Sequence, residues 1–287
     1  MNTLSKTKQI LNKYQISANK RFGQNFLIDD NILQNIVDVS NLNKDELVVE
    51  IGPGLGNLTE YLINEAGHVL LIEIDKNMID ILNDRFSGVQ NYSLINQDIL
   101  KVNLDDIIED LENTLNKKFK AVKVVANLPY YITTPILFKL LQDSKRVSDI
   151  VVMVQKEVAE RMVANYKTKD YGILTVMVEY LSEAEIKIIV PNSSFIPAPN
   201  VTSAVIKLTK NKRYECLDEK VLFELIHSAF AQRRKKIVNS LVDKNFHNLS
   251  KEELVNILNK LEIKETARAE ELKITDFIDI VELICKG

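Results

Sequence analysis

The chain has 287 residues, 46% of them hydrophobic and 27% charged, with a formal net charge of −3; this is ordinary soluble globular composition, enough for one or two domains with a substantial core. No run approaches the roughly 18 apolar residues of a membrane span, and no apolar h-region opens the chain, so neither a membrane segment nor a secretory signal is expected. Cys216 and Cys285 show no CxxC pattern and no nearby histidine, so they read as reduced thiols of a cytoplasmic protein, with no metal site expected.

The slightly acidic balance conceals two basic segments. Residues 1–28 carry Lys6, Lys8, Lys13, Lys20 and Arg21 and no acid, and Arg233, Arg234, Lys235 and Lys236 form a second cluster. Such patches can meet a polyanion, although short basic runs are more often solvated helix faces.

From about residue 47 to 208, short β-rich runs alternate with helical patterns. LVVEIG (47–52) reads as a buried strand and is followed by a helical stretch to about residue 66. HVLLIEID (68–75), a helix reaching Phe86, NYSLINQD (91–98) and AVKVVANL (121–128) come next. Thr134 and Pro135 suggest a helix start, with Thr as N-cap and Pro at the first position. DIVVMVQK (149–156), AEIKIIV (184–190) and VTSAVIKL (201–208) are further strands, the last two a candidate antiparallel pair at the sheet edge. The alternation predicts a doubly wound α/β sheet. Beyond residue 210 apolar residues recur at helical spacing: Val221, Leu222, Leu225, Ile226, Phe230; Leu254, Ile257, Leu258, Leu261; Phe277, Ile280, Val281, Ile284. The expected organisation is a Rossmann-like domain over 1–209, with 1–28 as a basic arm and covering segment, and a small all-helical domain over 210–287.

Three strand ends carry chemistry in succession. EIGPGLGNLTE (50–60) places glycines 52, 54 and 56 between a strand and a helix, but Asn57 stands where a dinucleotide fingerprint has its third glycine. Glu73 ends the next strand, where an acid can accept from both ribose hydroxyls; Asp98 ends the third run, placed to accept from an adenine amino group or to cap the following helix. No GxxxxGK[ST] and no basic residue lie in the loop. A nucleoside cofactor without phosphates, such as S-adenosylmethionine, fits better than NAD or ATP.

EIGPGLGN, IEID, QDIL and NLPY, in this order and spacing, resemble the Rossmann-like methyltransferases that modify adenine N6. KRFGQNFL (20–27), NLPYYITTPI, FIPAPNVTSAV (195–205) and AFAQRRKKIVNSL (229–241) extend the match, so that residues 15–285 resemble the bacterial KsgA/RsmA family of ribosomal small-subunit RNA adenine dimethyltransferases, kin to the Erm resistance methylases. The resemblance implies transfer of methyl groups from S-adenosylmethionine to two adjacent adenines in the loop of the 3′-terminal hairpin of 16S rRNA, with a part in small-subunit biogenesis and the rRNA as partner. It implies that Asn25 and Leu27 cover the cofactor, Gly52 contacts it, Glu73 holds its ribose, Asp98 its adenine, and Asn127 closes the pocket beside the methyl donor. Asn127, Leu128, Pro129 and Tyr130 would then bind the target adenine: two acceptors, a rigid brace and a stacking ring, with Phe195 on the other face. Lys20, Arg21, Arg233, Arg234, Lys235 and Lys236 would contact RNA phosphates. Two positions depart from the family pattern: Tyr131, where many members carry Asn, and Thr133, where Ser is common. A monomer is expected, since no apolar stripe demands a dimer. The alternatives are an Erm-type enzyme acting on 23S rRNA and a non-catalytic ribosome assembly factor on the same fold.

Overall fold

The computed structural model describes residues 2–16, 23–232 and 234–286. The elements in chain order are α1 (Thr3–Lys13), β1 (Phe26–Leu27), α2 (Asp30–Ser40), β2 (Leu47–Ile51), α3 (Asn57–Glu65), β3 (His68–Glu73), α4 (Lys76–Arg85), β4 (Tyr92–Asn96), α5 (Leu104–Leu115), β5 (Val122–Asn127), α6 (Thr133–Gln142), β6 (Val147–Gln155) and α7 (Lys156–Met162). These are followed by α8 (Ile173–Leu181), β7 (Ser182–Val190), β8 (Phe195–Ile196), β9 (Ser203–Lys210), α9 (Glu219–Phe230), α10 (Ile237–Asp243), α11 (Lys251–Lys260) and α12 (Ile274–Lys286). Every strand expected from the sequence forms.

Seven strands make one sheet in the order β4-β3-β2-β5-β6-β9-β7. Strands β4, β3, β2, β5 and β6 run parallel, and β9 is antiparallel to β6. All residues of β2 and β3 are buried, as an interior parallel strand covered on both faces requires, which is why those runs lack alternation. The late strands do adjoin at the edge, β7 beside β9. The chain starts at β2, builds outward through β3 and β4, then returns to the other side of β2 with β5. That reversal is a topological switch point, where α/β sheets bind ligands at the carboxyl ends of their strands.

Two compact units emerge: Met1–Ala159 with Ala184–Lys210, and Glu160–Glu183 with Asn211–Gly287. The boundary expected at 209/210 therefore misses a segment, since residues 160–183 belong with the C-terminal helices. The cause is a set of side chains on α8 and just before it. Buried Tyr171 donates to the Leu272 carbonyl at 3.0 Å, and Tyr180 donates to Glu219 Oε1 at 2.9 Å and stacks on Tyr214. The faces of α9, α11 and α12 bury Leu222, Leu225, Ile226, Leu254, Leu258, Phe277, Ile280 and Val281, as the spacing predicts. Among the described residues no helix is long and apolar enough to cross a membrane.

Two local expectations change. Helix α6 begins at Thr133 with Ile132 as N-cap and no side-chain cap; Thr134 lies inside it, and Pro135 sits in the first turn, where its missing N–H is still tolerated. The start of the basic arm is the helix α1, capped by the Asn2 side chain. Its Lys6 and Lys13 pair with Glu60 and Asp84 at 2.5 and 2.7 Å, so these two cations are engaged within the fold.

Candidate active site

The carboxyl ends of β2, β3 and β5, and the turn after β4, line one cleft in the first unit. At one end it is walled by Asn25, Glu50, Gly52, Asn127, Pro129 and Tyr130; at the other by Gly52, Glu73, Ile74, Asp98, Ile99 and Tyr131. Gln24, Gly52, Gly54 and Pro129 border both ends.

Gly52 closes β2 with φ +66°, and a Cβ there would meet nothing within 4 Å. The position thus needs glycine for its backbone, and its open side faces the space a ligand takes. Glu73 is 4% exposed. Its Oε2 accepts from the Gly54 N–H at 3.1 Å and its Oε1 from the Asp75 N–H at 2.8 Å, so the carboxylate ties the glycine loop to the β3 tip. Burial raises its pKa against those bonds. Asp98 acts as a cap, its Oδ1 accepting from the Leu100 N–H at 3.0 Å, and the residue also lines the cleft.

Asn127 ends β5. Its Nδ2 donates to the Asn25 carbonyl at 3.2 Å, and Asn25 Nδ2 in turn donates to the Gly23 carbonyl at 3.1 Å. With the donor side of the Asn127 amide thus engaged, its Oδ1 is the end presented as an acceptor. Leu128 is buried, and its N–H donates to the Met153 carbonyl at 3.2 Å; Pro129, at φ −60°, fixes the turn that follows. Tyr130 is held by a 2.5 Å hydrogen bond between its hydroxyl and Ser203 Oγ. Burial raises the Tyr130 pKa, so the phenol stays neutral at physiological pH.

The chain matches the ribosomal RNA adenine dimethylase model over residues 15–286. It is 43% identical to Ribosomal RNA small subunit methyltransferase A of Lactococcus lactis, over 99% of this chain and 96% of the relative, and 44% identical to the protein of that name from Clostridioides difficile, over 97% and 94%. A crystal structure of a dimethyladenosine transferase from Plasmodium falciparum superposes with a TM-score of 0.74 at 27% identity, covering 90% of this chain and 96% of that one. The 23S rRNA methyltransferase ErmE superposes with a TM-score of 0.64 at 25% identity, over 90% and 98%. The chain belongs to the ribosomal RNA adenine dimethylase family. It is an S-adenosylmethionine-dependent rRNA adenine dimethyltransferase.

The cleft of this dimethylase fits such a cofactor on its own chemistry. Glu73 at the tip of β3 and the open Gly52 would receive the adenosine end, and Glu50 borders the opposite end, where the amino acid moiety would lie. Sequence reasoning gave Glu50 no role. It is 2% exposed, accepts from Thr59 Oγ1 at 2.5 Å, and burial pushes its pKa up to about 8. The available signal was an acid interrupting the otherwise apolar run LVVEI. Asn57 was also passed over. Its Nδ2 donates to the Leu27 carbonyl at 2.8 Å and to Thr7 Oγ1 at 2.9 Å, and its Oδ1 accepts from Arg85 at 3.0 Å. The residue in the third-glycine position thus ties the loop to β1 and α1.

Not every expected residue reaches the cleft. Leu27 borders it, though its side chain is in the core. Phe195 is 3% exposed, pairs with Leu27 across the β1–β8 ladder and packs into the core cluster. Its ring is covered in this arrangement, so stacking on a base would require it to be uncovered. Arg234, Lys235 and Lys236 lie in the connection between α9 and α10 and not on a helix face; Lys235 pairs with Asp243 at 2.6 Å. Lys20, Arg21 and Arg233 fall outside the described residues.

Proposed function

We propose that this enzyme dimethylates N6 of two adjacent adenines near the 3′ end of small-subunit rRNA, acting in the cytoplasm as a monomer on the assembling small subunit, with no metal. The substrate follows the names of its relatives and the sequence resemblance. The observation that carries the site assignment is the Asn25–Asn127 bond, which turns Asn127 Oδ1 into a fixed acceptor beside the Leu128 carbonyl, at the end of the cleft next to Glu50 and Gly52.

The exocyclic amine of adenine is a poor nucleophile, because its lone pair is delocalised into the ring. Asn127 Oδ1 and the Leu128 carbonyl, accepting its two hydrogens, draw the nitrogen toward tetrahedral geometry and free the lone pair. S-adenosylmethionine, when bound, supplies the electrophilic methyl group. Pro129 keeps the two acceptors in register, and Tyr130, braced by Ser203, gives the extruded base a ring to stack on, worth about 1–3 kcal/mol. Extruding a base costs a few kcal/mol, least from a loop. The methylated amine is acidic enough to lose its proton to water, so the protein's contribution is positioning.

Asn127→Ala removes one acceptor and the bond to Asn25. Labelled-methyl transfer onto undermethylated small subunits is expected to fall by at least about a hundredfold, with folding retained. Near-normal transfer by this variant rejects the assignment. Label appearing on large subunits instead identifies the Erm-type reaction.

A further inference from the structure

We propose that Tyr131 is a positioning residue for the cofactor, the rim ring that closes its adenosine end together with Gly23. This deepens the reading of the cleft as an S-adenosylmethionine site and rests on it. The residues after Pro129 form a 3-10 turn, Tyr130–Ile132. With three residues per turn, successive side chains diverge by about 120°. The two tyrosines therefore serve different ends of the cleft: Tyr130 borders the end with Asn127, and Tyr131 borders the end with Glu73 and Asp98.

Three features point to a purine nucleoside beneath Tyr131. The wall there is apolar, with Ile72, Ile74, Ile99, Ile132 and Ile136, and its polar groups are few, Glu73 and Asp98 among them; that is the pattern of a flat base with a ribose. Tyr131 is 58% exposed and Ile74 48%, so large apolar surfaces stand open at the rim, and a bound ring would cover them. The covering segment also seats on Tyr131. Gly23 adopts φ +59°, and a Cβ on it would come within 3.3 Å of Tyr131 Cδ1 and 3.5 Å of Cε1. From Gly23 the segment continues through Gln24, whose Nε2 donates to Asp75 Oδ2 at 2.9 Å, to Asn25 and its bond with Asn127. Residues 23–25 thus cross the cleft from the Tyr131 ring to the Asn127 amide, and the ring holds the adenosine-side end of that strap.

The chain contains no tryptophan, so Tyr131→Trp makes a single-tryptophan reporter at the rim. S-adenosylhomocysteine is the probe. Calorimetry should give Tyr131→Phe an affinity close to wild type and Tyr131→Ala one about tenfold weaker. Gly23→Ala should weaken binding too, non-additively with Tyr131→Ala, because both act on one contact. In steady-state assays Tyr131→Ala should raise KM for the methyl donor while kcat and KM for RNA stay unchanged, and the emission of Tyr131→Trp should change saturably with the probe. Wild-type affinity in a Tyr131→Ala protein with a normal melting profile, or a defect confined to KM for RNA, overturns the proposal and places Tyr131 on the RNA side. Failure of the wild-type protein itself to bind the probe rejects the cofactor reading, and the role of Tyr131 with it.

Discussion

Glu50 shows how a single side chain couples the site to stability. Burial is the largest influence on it and pushes its pKa to about 8; the nearby Glu73 charge adds to the rise, while the Thr59 hydroxyl and Arg85 oppose it. In the unfolded chain the same carboxyl titrates near 4.5. A raised folded-state pKa means that the folded protein holds a proton the unfolded chain has lost between these two values. Stability from this group is therefore full below about pH 4.5 and is lost as pH rises through 8, at on the order of 1.4 kcal/mol per pH unit within the window. Glu50→Gln stays neutral at every pH and keeps an acceptor for Thr59. It is expected to flatten the decline in unfolding free energy between pH 6 and pH 8, measured by urea titration at several pH values. A decline equal to that of wild type would mean the carboxyl is already ionised in the folded protein. Gly52 and Glu50 lie two residues apart, so the first strand of the sheet and the residue after it deliver both an open backbone position and an acid to one wall.

At the scale of elements, helix α5 is held to the start of β6 by one buried carboxylate. Glu112 accepts from Arg146 at 2.7 Å, Lys118 at 2.8 Å and the Phe119 N–H at 3.1 Å. Burial alone would raise its pKa, but these donors together outweigh burial and hold it at about 2. A lowered folded-state pKa gives stability that is present above the unfolded value near 4.5 and is lost as pH falls toward 2. Glu112→Gln is expected to cost about 2 kcal/mol at pH 7, read as a lower urea midpoint, and to remove part of the acid sensitivity below pH 4.5. The strands of this sheet were legible in the sequence because buried parallel strands are written as short, mostly apolar runs rich in β-branched residues and without alternation, as LVVEI and HVLLIE are. That Gly52, Glu73, Asp98 and Asn127 line one cleft was legible because each lies at the end of such a run. Residues 160–183 were not, because α8 is apolar nearly all round and the partners of Tyr171 and Tyr180 lie far along the chain. The burial of Phe195 was not legible for a related reason: an aromatic at a loop base reads the same whether the two-residue ladder with Leu27 buries it or leaves it open. Tyr131 carried no local signal either, since its contact with Gly23 is made by two segments about a hundred residues apart.

For the whole molecule, the distribution of charge matters more than its sum. The net charge of −3 would repel an RNA at long range, so contact must come through local cations that the fold leaves unpaired. Lys6, Lys13 and Lys235 are held by Glu60, Asp84 and Asp243, which removes them as strong phosphate ligands. Arg234 and Lys236 stand exposed on either side of Lys235 in the connection between α9 and α10, and their placement in a turn lets their side chains diverge toward separate phosphates. If both make such contacts, replacing both with Ala releases about two fewer counterions. The slope of log affinity against log salt should then become shallower by about 1–2, and affinity at low salt should drop by roughly tenfold. Binding of S-adenosylhomocysteine, proposed for the cleft at the strand ends, should not change. Titrating small subunits with the double variant across a salt series reads both quantities at once. An unaltered slope would move the RNA-binding surface away from this turn; a shallower slope with unaltered cofactor binding would assign the turn to phosphate contact, separating the surface that holds the RNA from the cleft that modifies it.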